Sequence, residues 1–482
     1  MKKIAIALTA LVVLLAAAAA AYPWYLGMQT ETELRAQLKG SDGIGSPVRV
    51  TLVQYQRGWI SSTALHRVSL KSDANVYFDV HHEIDHVPDL SGSLVRIKST
   101  PRWPEEVQAA ADYYFAKQPA LTLSTSVDFE HNVAIRLNSP AFSKPLLTRP
   151  ELKLIWGGAT GSLAFSDESR MKLEINVPRV AFEGGGGTIA DFAGTSMRGE
   201  WTVAGSQVDW QGETRIVVND ISFNGPGGSG SLKGFEAVMS QRNQGQTMML
   251  GYSLKVKEGL ATSAGAQPEG FSDAELDLEF DRLDKKAVAK YLDDVANAEQ
   301  SGVSDNTQVR LIAQLWVGLM NELLKGSPEV RIKKVGVKTA SGSLNASAVF
   351  SFNGNGFTGI SSPGELLTRS TFNGSVQVSG ALLRTWMVKG ARAQATGALV
   401  QNGAMPDEAK VQVLSEQLVQ QQLAAMEATG LLKPEGENFT VRAEMVEGNL
   451  KLNGTPANEL LGPMLTAPFA AKPGAAPGEQ DA

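Results

Sequence analysis

The sequence predicts a mainly β protein with a few helices (α+β): a single N-terminal transmembrane helix followed by an extended, largely antiparallel sheet body. Three observations predict it. An uncharged apolar run from Ile4 to Ala21 follows Met1-Lys2-Lys3, apolar and polar residues alternate through much of the remaining chain, and 48 glycines punctuate those alternations as turns and bulges between strands require.

The first segment has the charge order of an exported one. A cleaved signal peptide and a retained anchor compete here, because the Ala16 to Ala21 tract offers many cleavage points while the run approaches the roughly 20 residues a spanning helix needs. Tyr22, Trp24 and Tyr25 follow with no polar region between, as at a membrane interface, which favours retention of an anchor over residues 1–27. Lys2 and Lys3 before the run, with Glu31 and Glu33 after it, place the N-terminus in the cytoplasm and the body outside.

From Val48 onward period two dominates, with Val48, Val50 and Leu52 on one face and Val76, Phe78 and Val80 repeating the pattern. The same texture predicts strands at 152–156, 171–177, 208–218, 248–256, 274–280, 330–337, 343–352 and 439–452. Helices are expected from Pro104 through Lys117, over 285–296 and 308–324 as a pair, and over 407–429. Short Gly-Ser-Leu or Gly-Asn-Leu steps at Gly92, Gly161, Gly230, Gly342 and Gly448 are turn chemistry feeding strands, not a repeat. The stretch 263–270 lacks core-forming residues and is the best boundary, giving β-rich regions at 28–262 and 271–466, the second with helices. Residues 467–482, mostly Ala, Pro and Gly, are expected to be disordered.

Composition excludes several chemistries. A net charge of −6 over 482 residues, with no basic block after Lys3, gives no footprint for nucleic acid. With no cysteine there is no thiol nucleophile, thiolate zinc site or disulfide. No G-x-S-x-G elbow occurs, and all five histidines fall between His66 and His131. Ser169 and Lys172 match S-x-x-K, but in an alternating stretch. The glycine runs 184–187 and 225–230 lack the Gly-Lys-Ser/Thr continuation of a phosphate loop and read as strand connections.

The segment His82-Glu83-Ile84-Asp85-His86 satisfies the H-E-x-x-H zinc pattern, which needs a helix to bring both imidazoles to one ion. Here the preceding residues alternate and Pro88 follows. In a strand, His82 and His86 share a face about 13 Å apart at roughly 3.3 Å per residue, too far for one metal. Neither metal nor cofactor is expected.

The most idiosyncratic stretch outside the anchor is Tyr55-Gln56-Arg57-Gly58-Trp59-Ile60-Ser61-Ser62. Arg57-Gly58 reads as a tight turn or bulge, with Gly58 in a conformation other residues resist and Tyr55 and Trp59 packing across the strand pair. These residues resemble the YdgA-like family of bacterial envelope proteins, described chiefly as a domain of unknown function. The resemblance spans nearly the whole chain. It rests on the anchor with its aromatics and Gly27, on Tyr55, Arg57, Gly58, Trp59, Ser61 and Ser62, on Asp85-His86-Val87-Pro88, and on the closing 447–454, which ends in Asn453-Gly454. The family pattern has glycine where this chain has Val87. The resemblance implies an inner-membrane or periplasmic location and transfers no catalytic residue.

The expected protein is therefore a non-enzymatic, single-pass inner-membrane protein with its body in the periplasm and a structural or interaction role in the envelope. Its expected partners are the bilayer, through the N-terminal helix, and a lipid or envelope protein; a homodimer is an open option. Binding of lipid or another hydrophobic molecule in a sheet groove is the alternative, and a zinc hydrolase using His82, Glu83 and His86 the least favoured.

Overall fold

The computed structural model describes residues 22–32, 48–70, 75–89, 92–166, 169–185, 187–202, 204, 207–263, 268–300, 305–360, 362–401 and 407–460. Among them no helix is long and apolar enough to cross a membrane. The expected span over Ile4 to Ala21 and the expected disordered tail over 467–482 both lie outside the described residues. The chain divides into two compact units, one from Met1–Asn243, Ala261–Pro268 and Lys285–Val317, the other from Gln244–Leu260, Glu269–Asp284 and Gly318–Ala482.

The first unit opens with helix α1, residues 22–32. Its strands are β1 (Val48–Arg57), β2 (Ser61–Leu70), β3 (Tyr77–Asp85), β4 (Ser93–Arg102), β5 (Thr122–Asp128), β6 (Val133–Ser139), β7 (Phe142–Pro145), β8 (Lys153–Trp156), β9 (Ala159–Ser166), β10 (Arg170–Gly184), β11 (Gly187–Thr202), β12 (Gln211–Gly225) and β13 (Gly228–Gln244). Pairing is antiparallel throughout. Strands β1 to β6 meander, β6 then pairs with β9, and β9 to β13 meander again, while β7 and β8 form a side hairpin joined to β10. Helix α2 (Glu105–Phe115) ends in left-handed Ala116, and Tyr114 and Phe115 stack on Phe142 of β7. The glycine runs connect strands: 184–187 turns β10 into β11, and 225–228 turns β12 into β13.

The second unit holds β14 (Thr247–Ser263, through Leu260), β15 (Glu269–Asp284), β16 (Glu329–Thr339), β17 (Gly342–Phe352), β18 (Ser370–Ser379), β19 (Lys433–Glu435), β20 (Asn438–Val446), β21 (Asn449–Leu452) and β22 (Thr455–Pro456). Strands β15 to β18 form a meander that continues into β20 and β21. Helices α3 (Lys285–Gln300) and α4 (Asp305–Lys325), which through Val317 belong to the first unit, occupy the places expected of the pair; α5 (Pro363–Arg369), α6 (Gly380–Gln401) and α7 (Glu408–Ala428) follow in the second. The single strand expected over 439–452 is instead a hairpin. Glu447 and Gly448 both take positive φ, 52° and 78°, and reverse the chain between β20 and β21.

In the second unit the apolar sheet face is roofed. Leu344, Val378 and Phe439 form one cross-strand row, and Leu382 of α6 buries against it. Helices α6 and α7 then pack through Ala391, Val419 and Leu423. The first unit has a different arrangement. Across β3 to β6 and β9 to β13, one row on a single face reads His82, Ser99, Leu123, Leu137, Gly161, Ile175, Met197, Ile216, Ala237. The next two rows on that face, both to the same side of it, carry Ile84, Ile97, Ile135, Leu163, Leu173 and Met239, then Val95, Val127, Val133, Phe165, Met171 and Trp201. The alternate row, on the opposite face, is Glu83, Lys98, Ser124, Arg136, Ser162, Glu174, Arg198, Arg215, Val238. The period-two pattern thus sorts into one greasy and one charged face over nine strands. Along the greasy face Leu137, Leu163, Ile175 and Met197 are half-buried, whereas Ile216 and Met239 keep 36% and 44% of their surface exposed.

Candidate functional site

At its β1 to β5 end the greasy face receives α1. Leu26 buries with Ala64, Ile84, Leu94 and Val95, and Leu52, Tyr55, Ile97 and Val127 pack around that cluster.

Most of the residues that carry the family resemblance converge on this helix. Tyr55 donates its hydroxyl to the Gly27 carbonyl at 3.3 Å. Arg57 lies 5.4 Å from the centroid of the Trp24 ring and 3.7 Å from the Glu31 carboxylate, so one guanidinium meets α1 at two points about two turns apart. The His86 ring is fully buried and meets α1 at Gly27, where an added Cβ would fall 3.0 Å from Nε2 and 3.2 Å from Cδ2. Ser62 Oγ holds His86 Nε2 at 2.7 Å, and the His86 backbone N–H donates to the Ile60 carbonyl at 2.9 Å. Ser61 stands opposite Asp85 across β2 and β3. Pro88 follows in the connection to β4.

The expectation for Gly58 needs correcting. Gly58 does not take positive φ; it is required by close approach, since a Cβ there would sit 2.3 Å from the Ser61 carbonyl oxygen to which its own N–H donates at 2.9 Å. Tyr55, opposite Ala64 across the pair, packs on the cluster that holds Ala64 and turns its hydroxyl to α1, while Trp59 is 58% exposed at the turn. At Val87, where the family pattern has glycine, φ is not positive and the side chain is exposed.

Asn453 and Gly454 lie apart, in the second unit. Both have positive φ, and the Asn453 amide donates to the carbonyls of Gly430 and Leu431 while its Oδ1 accepts from the Arg442 N–H. That pair fastens the β21 turn to the chain leaving α7, a local structural task.

The zinc pattern falls on a strand. His82 points to the greasy face and Glu83 to the charged one; His82 bonds His66 and Ser99, and His86 bonds Ser62. No cluster of three or more His, Asp or Glu that could hold a metal ion occurs among the described residues. Ser169 sits in the turn before β10, and Lys172 pairs with Glu200.

A buried polar chain, not singled out from the sequence, crosses the greasy face beside α1. His66 Nδ1 meets His82 Nε2 at 2.8 Å, and His82 Nδ1 meets Ser99 Oγ at 2.7 Å. His66 Nε2 and His86 Nδ1 are buried without a hydrogen-bond partner. Burial lowers the pKa of His66 and His86. It pushes His82 down to about 4, with the neighbouring His66 and His81 adding to the effect. A doubly protonated His82 would still donate to both partners, so desolvation and not a broken hydrogen bond keeps it neutral. A histidine whose folded pKa lies below its unfolded value binds protons more readily in the unfolded chain. Its stabilising contribution is therefore complete above about 6.5 and is lost as pH falls toward about 4. Urea denaturation should show the unit that carries α1 weakening across that window, with His82→Gln flattening the dependence. An unchanged slope in the variant would remove His82 from this account.

A family profile described as "Bacterial protein of unknown function (DUF945)" matches residues 1–459. The chain belongs to the DUF945 family. That match agrees with the resemblance carried by Tyr55 to Ser62 and Asp85 to Pro88 and assigns no activity. No curated protein matches this DUF945 chain. Its distinctive residues build a seat for one helix at one end of a long apolar sheet face.

Proposed function

We propose that the protein is a non-enzymatic holder of hydrocarbon chains in the bacterial envelope. In this reading the run from Ile4 to Ala21 tethers it to the inner membrane, and the body lies in the periplasm. The observation that carries the reading is the greasy face of the first unit. Its rows cross nine strands, and eight gaps of about 4.8 Å give roughly 38 Å. One leaflet of a bilayer presents about 15 Å of hydrocarbon, half of a core roughly 30 Å thick, so the strip is long enough for an extended acyl chain. On that face Ile216 and Met239 remain open. A continuous apolar surface left in solvent is costly unless something occupies it. Hydrocarbon binding therefore ranks above a general interaction role. Ser62, His66, His86 and Ser99 are buried around α1 and do not converge on an open cleft, which favours a non-enzymatic role.

Photocrosslinking tests this. A photoreactive residue at Ile175 should yield phospholipid or fatty-acid adducts in cells, and the same residue at neighbouring Glu174, on the charged face, should not. Equal adduct yields at the two positions would sink the proposal.

A further inference from the structure

Successive turns at one end of the first unit's sheet present large apolar side chains to solvent. Trp59 and Ile60 occupy the β1–β2 turn, Val87 follows β3, and Phe129 sits in the β5–β6 turn; Trp59, Ile60 and Phe129 are all more than half exposed. The pairings of Ser61 with Asp85, Asp85 with Arg96 and Ser93 with Asp128 bring these turns to the same end of adjacent strands. The Arg57 guanidinium over the Trp24 ring sets that part of α1 beside them, where Tyr22, Trp24 and Tyr25 are exposed as well.

We infer that these hairpin tips rest in the interfacial layer of a lipid bilayer, giving the body a second membrane contact in addition to the N-terminal run. The inference rests on the tethered reading above. A bilayer is the fitting occupant because α1 is preceded directly by the uncharged run Ile4 to Ala21, so the surface that surrounds the end of that run also lies at the level of Tyr22 and Trp24. Tryptophan and tyrosine favour that level, with the ring in the headgroup layer and the polar edge wet. The polar rim is present: Arg57, Asp85 and Arg96 flank the tips and keep their charges accessible. Seated this way, the α1 end of the greasy face abuts lipid, and a hydrocarbon chain could enter it without crossing open water.

The chain contains no cysteine, so single labels can be placed without background. Trp59→Cys, Phe129→Cys and Val76→Cys each replace an exposed residue, and Val76 lies before β3 at the opposite end of the strands. The full chain, carrying a nitroxide at each site in turn, is reconstituted into vesicles of phosphatidylethanolamine and phosphatidylglycerol. Power-saturation spectroscopy then compares accessibility to oxygen with accessibility to a water-soluble nickel chelate. The oxygen-to-nickel ratio should be several-fold higher at positions 59 and 129 than at 76. Co-flotation with the vesicles combined with equal ratios at all three positions would overturn the tip contact alone. Failure of the full chain to co-float would overturn both the tether and the tips.

Discussion

Ile175→Asp combined with Ile216→Asp is expected to abolish hydrocarbon binding while leaving the fold intact. The two residues share a cross-strand row with Met197 between them. Neither is part of a buried cluster, so the unliganded protein keeps both carboxylates hydrated. A bound acyl chain would have to strip water from them or leave the strip interrupted. Dehydrating an unpaired carboxylate costs several kcal/mol, and each 1.4 kcal/mol is a factor of ten, so affinity should fall by at least about a hundredfold. Arg136→Ser with Arg198→Ser, on the opposite face of the same strands, should change it by no more than about twofold. Lipid recovered from the purified variants, counted by native mass spectrometry, reads the difference. Equal loss from both pairs would mean that the sheet binds its ligand by some other route.

Gly27→Val should release α1 from its seat. The new side chain would begin within van der Waals overlap of the His86 ring, which is buried and tied to Ser62. Overpacking of this kind costs about 1–3 kcal/mol, and loosening the Tyr55 hydroxyl from the Gly27 carbonyl adds about 1 kcal/mol. The readout is hydrogen exchange: amides of residues 22–32 should lose protection, while those of the β16–β17 hairpin in the other unit should not. Because the clash is with one ring, His86→Ala should relieve part of it. A double-mutant cycle must then show favourable coupling between the two changes. Strict additivity would mean that His86 is not what Gly27 accommodates.

Much of the architecture was legible in the sequence, and the exceptions have identifiable causes. Val48, Val50 and Leu52 read as a strand because period two survives any tertiary context that wets one face. Strand β11 was missed: its middle, Ala193-Gly194-Thr195-Ser196, is small and polar enough to hide the alternation that Met197 and Trp201 would otherwise show. Helix α6 was missed because Gly390 and Gly397 interrupt it and it starts at Gly380. The Tyr55 to Ser62 stretch was recognisable as a turn with unusual demands. That its purpose is to hold α1 was not recognisable, because Tyr55 meets Gly27 and Ser62 meets His86 across long separations in the chain. The greasy face itself emerges only once strand registers are known, since alternation within one strand cannot tell which neighbours share its side.

The order of strands has one more consequence, for how the molecule is assembled. From β1 to β6 each strand pairs with the one made just before it, so the ribbon can grow at a single edge as synthesis proceeds, each addition closing a local loop, the longest of which carries α2 between β4 and β5. The step from β6 to β9 breaks that rhythm, because the β7–β8 hairpin must fold out of the way before the edge can be extended. Vectorial assembly should pause there, which makes the β6–β9 junction the natural place for a nascent chain to stall or to recruit a chaperone.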